Sequence, residues 1–360
     1  MVLQFGTGKA VEDIVGDLSA ATFGPDGRLW LASDELSAGQ VTLSALRPET
    51  TDTFGAHQLY PLEPAIALLE ATSKKAEADF EGLHFADGYL WFTGSHSTKR
   101  SRPKGKSVKK DLERLSEVKT DLNRYLLGRI PLAGDALVRS IADLSDPDRT
   151  LTAARLAEGE AGNVLTEALL GDAHLGSFLR TVHFENGRRE LLPLASKENG
   201  FDIEGLAVAG RPLRGWACLL EISCVEQGEG LLCLDDIEGN KRRYRKHFLD
   251  LDGLGIRELA VDGHDLLILA GPTMTHDGAL RVFRLHKPGA LDDDSVTGQD
   301  EKLLKPLFDL PFGIGGDYAE GLAVTSWHDQ PAVLVVHDSP LRWRRPDPGT
   351  VLADIYHLPR

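Results

Sequence analysis

Residues 79–96, DFEGLHFADGYLWFTGSH, hold two short apolar runs on either side of an Asp-Gly pair. Such a pattern reads as a tight β-hairpin, because Gly takes up positive φ without steric cost. The order recurs in FDIEGLAVAGRPLRGWACLLEIS from Phe201, IRELAVDGHDLLILAG from Ile256 and YAEGLAVTSWHDQPAVLVVHDS from Tyr318. A degenerate copy, DLSAATFGPDGRLWLASDE, starts at Asp17. Taking Ser19, Glu81, Glu204, Glu258 and Glu320 as the marker positions, the copies lie about 60 residues apart, with a gap about twice that before Glu204.

A repeat of this length, built of short strands and turns, predicts an all-β fold, a β-propeller of four-stranded blades. The first unit reads as strands near 19–24, 28–33, 40–46 and 55–60, and the fourth as strands near 256–261, 265–270, 279–286 and 305–309. The runs show little strict alternation, as expected of sheets buried on both faces. Counting strands favours five blades, with six as the alternative. The last unit has three strands, near 319–325, 331–336 and 351–357. The N-terminal VLQF, residues 2–5, is expected to add a fourth and to close the ring, which removes an exposed edge. Residues 1–360 then form one domain. Residues 147–200 become an insertion between blades, read as helical from the spacing of apolar residues in LTAARLAEGEAGNVLTEALLGDAHLGSFL. A second insertion, 96–122, combines a basic loop with a short lid helix.

Strands of a blade alternate in direction. The start of the inner strand, the end of the second strand and the links between blades therefore share one face. The links 61–78, 147–200 and 313–317 and the loops 34–39, 96–122, 272–278 and 338–350 all fall there. Function concentrates at such elaborated loops. Ring symmetry would also bring Glu81, Glu204, Glu258 and Glu320 around the channel mouth on this face, with Asp79, Asp202 and Asp317 just ahead of three of them. At the ends of the second strands stand Asp34, Glu35, His96, Glu221, His337 and Asp338.

Converging carboxylates repel and raise one another's pKa unless something compensates. A hard divalent cation, Ca²⁺ or Mg²⁺, would do so through oxygen ligands. Arg257 and Lys197 offer part of the same neutralisation. The competing structural reading makes each Glu a staple. It would accept backbone N–H groups of the neighbouring blade, with Gly next to it because blades approach closely there.

The 360 residues carry a net charge of −15, with 42% hydrophobic and 26% charged residues. So acidic a chain is a poor general nucleic-acid binder. No apolar run is long enough to span a membrane, and no secretory leader is visible at the start. Cys218, Cys224 and Cys233 are odd in number and lack CxxC spacing, so they read as reduced thiols of a cytoplasmic protein. Against the overall charge, residues 99–110 hold seven Lys or Arg and no acid. They read as a solvated loop or as a clamp for an anionic ligand.

The stretch SKENGFDIEGLAV at 196–208, with the RELAV and AEGLAV copies, resembles a bacterial family known as domain of unknown function 3616. The Asp-x-Glu-Gly-Leu opening is also similar to the phytase-like esterase propellers. There, acids at the channel mouth bind calcium or act on phosphate or ester substrates. Asp79 with Glu81 and Asp202 with Glu204 match that opening. Glu258 follows Arg257 and lacks the Gly, and Ser19 replaces the acid.

Two functions follow as expectations. The first is binding of a divalent cation and a small phosphorylated or ester ligand, with metal-assisted hydrolysis. Glu81, Glu204, Glu258 and Glu320 would hold the metal, and Asp79, Asp202, Lys197 and Arg257 the ligand. His96, His337 and Asp338 would move protons, since imidazole titrates near neutral pH. The second is a non-catalytic scaffold that binds a protein partner through the helical insertion and the basic loop.

Overall fold

The computed structural model describes residues 1–33, 40–69, 78–185, 188–208, 214–217, 220–227, 231–234, 244–272, 277–291, 294–299 and 302–359. At 9–10, 183–185, 189, 290 and within 214–234 it describes the backbone alone. Asp34, Glu35 and Cys218, and the side chains of Glu221, Cys224 and Cys233, lie outside the described residues.

The chain is all-β. Each repeat opens on an inner strand: β1 (Leu18–Phe23), β2 (Phe80–Ala86), β3 (Ala207–Val208), β4 (Gly255–Asp262) and β5 (Tyr318–Trp327). β1 pairs in order with Leu29–Ser33, Thr42–Pro48 and Thr53–Pro61. β2 pairs with Tyr89–Gly94, then Leu127–Ala133 and Ala154–Leu156. β4 pairs with Asp265–Gly271, Leu280–Leu285 and Leu304–Leu310. β5 pairs with Gln330–Asp338 and Asp354–His357. The turn between β2 and its partner is a hairpin of the expected kind, with Asp87 at φ 55 and Gly88 at φ 84.

The second strands carry the fold's apolar density. Leu29–Ser33 and Tyr89–Gly94 are buried at every position, which explains why they lack alternation. Side chains from facing sheets interlock in layers. Trp30, Leu43, Phe80 and Phe92 fill one layer, and Leu31, Leu334 and Val336 another. The inner strands touch in cyclic order: β1 against β2, β2 against β3, β3 against β4, β4 against β5, and β5 against β1. The sheets thus stand around a common axis in a propeller-like arrangement.

The N-terminal strand Val2–Gln4 lies antiparallel to Thr350–Leu352 and parallel to Thr53 and Phe54 of the first sheet. The strand expected over 351–357 is broken at Ala353: its first part pairs with the N-terminal strand and its second part with Gln330–Asp338.

Residues 147–200 differ from the helical expectation. Among its described residues only Val164–Leu170 and Gly176–Leu179 are α-helical. Ala154–Leu156 is a strand of the second sheet, and Arg180–Glu185 pairs with Arg188–Pro193. Glycines at 159, 162, 171 and 176 cut the apolar period into short pieces. Asn163 starts the longer helix, its side chain accepting from Leu165 N and Thr166 N.

In the 96–122 insertion, Lys99–Arg100 pairs with Val118–Lys119 to form a strap, which carries the helix Val108–Ser116. Among the described residues no helix is long and apolar enough to cross a membrane.

Candidate functional site

Four inner strands carry a bulge at the same place. The pairing skips one residue between Leu18 and Ala20, between Phe80 and Gly82, between Ile256 and Glu258, and between Ala319 and Gly321. A bulge re-aims the extra residue's side chain. The bulged residues are Ser19, Glu81, Arg257 and Glu320, so Arg257, not Glu258, is the counterpart of the other two acids. This corrects the marker chosen from sequence.

Glu258 falls instead on the position held elsewhere by Gly82, Gly205 and Gly321. At these glycines neighbouring inner strands press together. A Cβ on Gly82 would meet Leu206 N at 2.5 Å, and one on Gly205 would meet Glu258 Cα at 2.9 Å. Glu258 is fully buried. Its Oε1 accepts from Leu206 N at 3.2 Å, in the neighbouring repeat, and from Leu259 N at 2.8 Å. Burial holds its carboxyl well above the usual range. Glu258 is therefore a staple between repeats and does not reach the channel mouth.

Arg257 reaches two acids. Its Nη1 stands 2.9 Å from Glu204 Oε2, and its Nη2 donates to Glu320 Oε1. All three side chains are largely buried. Asp202 hydrogen-bonds to Glu204, and burial, then the Glu204 charge, push its carboxyl well above the usual range, against the pull of Lys197 and Arg257. Asp338, beside them, accepts from Ser339 Oγ at 3.1 Å and is also raised, chiefly by burial.

These groups form the floor of a cavity of about 1240 Å³, which Glu81, Asp202, Glu204, Arg257, Glu320 and Asp338 all line. Its wall is the strap. Arg100 fastens the strap, pairing through both ends of its guanidinium with Glu198 and donating from Nη1 to Leu115 O at 2.6 Å. Ser196 N donates to Thr98 O at 3.0 Å. Arg102, Lys104, Arg114 and Lys197 line the cavity as well. Asp79, at φ 50, is held by Arg124 Nη2 at 2.6 Å, while Arg124 Nη1 donates to Ser97 Oγ at 2.8 Å. Arg124 also lines the cavity, and no motif in the sequence marked it.

The two histidines lie elsewhere. His96 is 2% exposed, its Nδ1 bonded to Gly94 O at 2.8 Å and its Nε2 to Asn163 Nδ2 at 2.8 Å. Nδ1–H donates and Nε2 accepts, so the ring is neutral, and burial lowers its pKa to about 4. His337 is buried 3.6 Å from Asp354, near Arg344, and burial lowers its pKa too. Neither lines the cavity. Adjacent residues of an extended strand point to opposite sides, which separates His337 from Asp338.

Of the four glutamates expected to hold a metal, Glu258 is stapled to backbone, and Glu204 and Glu320 both face the Arg257 guanidinium. Among the described residues no three His, Cys, Asp or Glu stand together as a metal site.

Among the solved structures that resemble the chain are three lyases. A catalytically inactive virginiamycin B lyase from Staphylococcus aureus with quinupristin is 11% identical, with 94% of this chain and 96% of that one covered and a TM-score of 0.31. The selenomethionine-substituted form of that enzyme from the same organism is 12% identical, with 99% and 98% covered and a TM-score of 0.33. A streptogramin B lyase is 10% identical, with 93% and 94% covered and a TM-score of 0.27. At such TM-scores the fold rests on the sheets described above. No curated protein matches the chain. The model of the family described as "Protein of unknown function (DUF3616)" matches residues 17–354, and the chain belongs to that family.

Proposed function

We propose that the cavity binds a small anionic ligand, phosphorylated or carrying an ester, at the mouth of a five-bladed propeller. The cyclic contact of β1 to β5 supports five blades. One observation carries the ligand. Arg102, Lys104, Arg114 and Lys197 line the cavity and make no ion pair among the described residues, whereas Arg100, Arg124 and Arg257 each have a carboxylate partner. Four cations that line one cavity attract an anion.

The floor supplies acid chemistry. Asp202, whose carboxyl is pushed well above the usual range by burial and then by the Glu204 charge, would serve as the acid, with Glu204 beside it as the base. With an ester or phosphoester in place, Asp202 would protonate the departing oxygen while Glu204 takes a proton from the attacking water. One water is consumed, and an acid and an alcohol leave. We give the neutralising role at the floor to Arg257 rather than to Ca²⁺ or Mg²⁺.

The test is the melting temperature with millimolar inorganic phosphate and a set of phosphoesters and carboxylate esters. A ligand at 100 times its Kd stabilises by about 2.7 kcal/mol. The expected result is a rise that disappears when Arg102 and Lys104 are both changed to Ala. If no anionic compound shifts the melting temperature, the proposal falls.

A further inference from the structure

Two large apolar side chains line the same charged cavity, and anion binding does not use them. Phe312 is 50% exposed and Leu115 45% exposed. Among the described residues the Phe312 ring packs against no other aromatic ring. Small-molecule pockets are lined by apolar and aromatic side chains together with a few polar groups, and both side chains stand in this cavity's lining.

Both residues sit on fastened backbone. Leu115 is in the last turn of the strap helix, and its carbonyl accepts from Arg100, so it travels with Arg102 and Arg114. Phe312 precedes a glycine link pressed against Leu341. A Cβ on Gly313 would meet a Leu341 methyl at 3.0 Å, and one on Gly316 would meet the other at 3.1 Å. Leu341 N donates to Asp317 Oδ1 at 2.7 Å, and Gly315 N to Asp277 Oδ1 at 3.1 Å. The cavity thus offers a held aromatic edge and a held aliphatic edge near its unpaired cations.

Building on the anionic-ligand reading, we infer that the ligand carries a flat apolar ring as well as its phosphate, with the ring seated against Phe312 and Leu115. A nucleotide and an aryl phosphate share this chemistry. A sugar phosphate lacks it.

Titration calorimetry on the full chain separates the cases, using inorganic phosphate, ribose 5-phosphate, adenosine 5′-monophosphate and phenyl phosphate. The expected result is that at least one ring-bearing phosphate binds about tenfold or more tighter than ribose 5-phosphate. Which of the two does so identifies the source of the ring. Phe312→Ala should erase that preference and leave ribose 5-phosphate binding unchanged, whereas Phe312→Tyr should keep it. Equal affinity for all four probes overturns the ring while the anion site stands. Binding of none overturns the anion site itself. A Phe312→Ala variant that keeps the full preference also overturns the ring's placement.

Discussion

Arg257 Nη1 stands 2.9 Å from Glu204 Oε2, and the two side chains belong to neighbouring repeats. The same guanidinium also meets Glu320, so one cation ties three repeats together at the channel mouth. Arg257→Ala leaves two largely buried carboxylates without their guanidinium partner. Removing one member of a buried pair costs about 3 kcal/mol or more. The loss should be greater at pH 8 than at pH 5, where the orphaned acids take up protons. Urea unfolding at the two pH values checks this.

The same substitution opens a cation site. Millimolar Ca²⁺ should raise the melting temperature of chelator-stripped Arg257→Ala protein and leave that of the unsubstituted protein unchanged. A rise of several degrees in the unsubstituted protein would return the neutralising role to a metal.

Glu258 predicts a different pattern. Glu258→Gln keeps an oxygen for Leu206 N and Leu259 N, so its stability should stay within about 1 kcal/mol. Glu258→Ala leaves both donors buried and unpaired and should cost about 2–3 kcal/mol. Ligand affinity of the Gln variant should be unchanged. A large affinity loss in Glu258→Gln would put this residue back in the site.

Much of this was legible before the structure. The second-strand runs predicted buried sheets, and residues of 96–122, 147–200, 272–278, 313–317 and 338–350 border the cavity, whereas no described residue of 61–78 does. The register of the fourth repeat was readable too. IRELAV and AEGLAV align through Leu-Ala-Val, which puts Arg257 opposite Glu320 and Glu258 opposite Gly321. Choosing the nearest acid obscured that. His96 was not legible, because its partners Gly94 O and Asn163 come from the end of the preceding strand and from a distant insertion. Nor was the mixed character of 147–200, where four glycines override a helical period that the composition alone supports.

His96 makes stability fall in acid. Its folded pKa of about 4 lies below the ordinary histidine value of about 6.5. The unfolded chain therefore takes up a proton that the folded chain refuses. Stability is complete above about pH 6.5 and falls as the pH drops towards 4, by roughly 3 kcal/mol from this group. His96→Gln keeps an acceptor for Asn163 and should show a shallower fall between pH 7 and 4. An identical slope would mean that the imidazole is not held neutral.

Gly82 and Gly321 should refuse even a methyl. Built on Gly321, a Cβ comes within 2.4 Å of a Val336 methyl and 3.0 Å of Ala20 carbonyl carbon. On Gly82 it meets backbone. Gly82→Ala should cost about 1–3 kcal/mol through forced separation of β2 from β3. Denaturant titration that finds Gly82→Ala neutral would mean the inner strands can part at no cost.

Arg100→Ala should loosen the strap without unfolding the body. Its pair with Glu198 is about one-third exposed on each side, so the global loss should stay below about 1 kcal/mol. Trypsin should cut faster within 99–114 in the variant than in the unsubstituted protein. Equal cutting rates would show that another contact fastens the strap.

The N-terminal strand has a consequence for how the chain is made. Val2 and Leu3 join Leu352 and Val351, which leave the ribosome only after all the residues between them. Until then the N-terminal strand, which lies against Thr53 and Phe54 on one side, has no partner on the other. An unpaired strand edge is a template for another chain, and nascent chains present such edges while later residues are still being added. The first sheet is thus sealed only when residues 350–352 arrive, and the growing polypeptide carries an open edge while the intervening repeats are made.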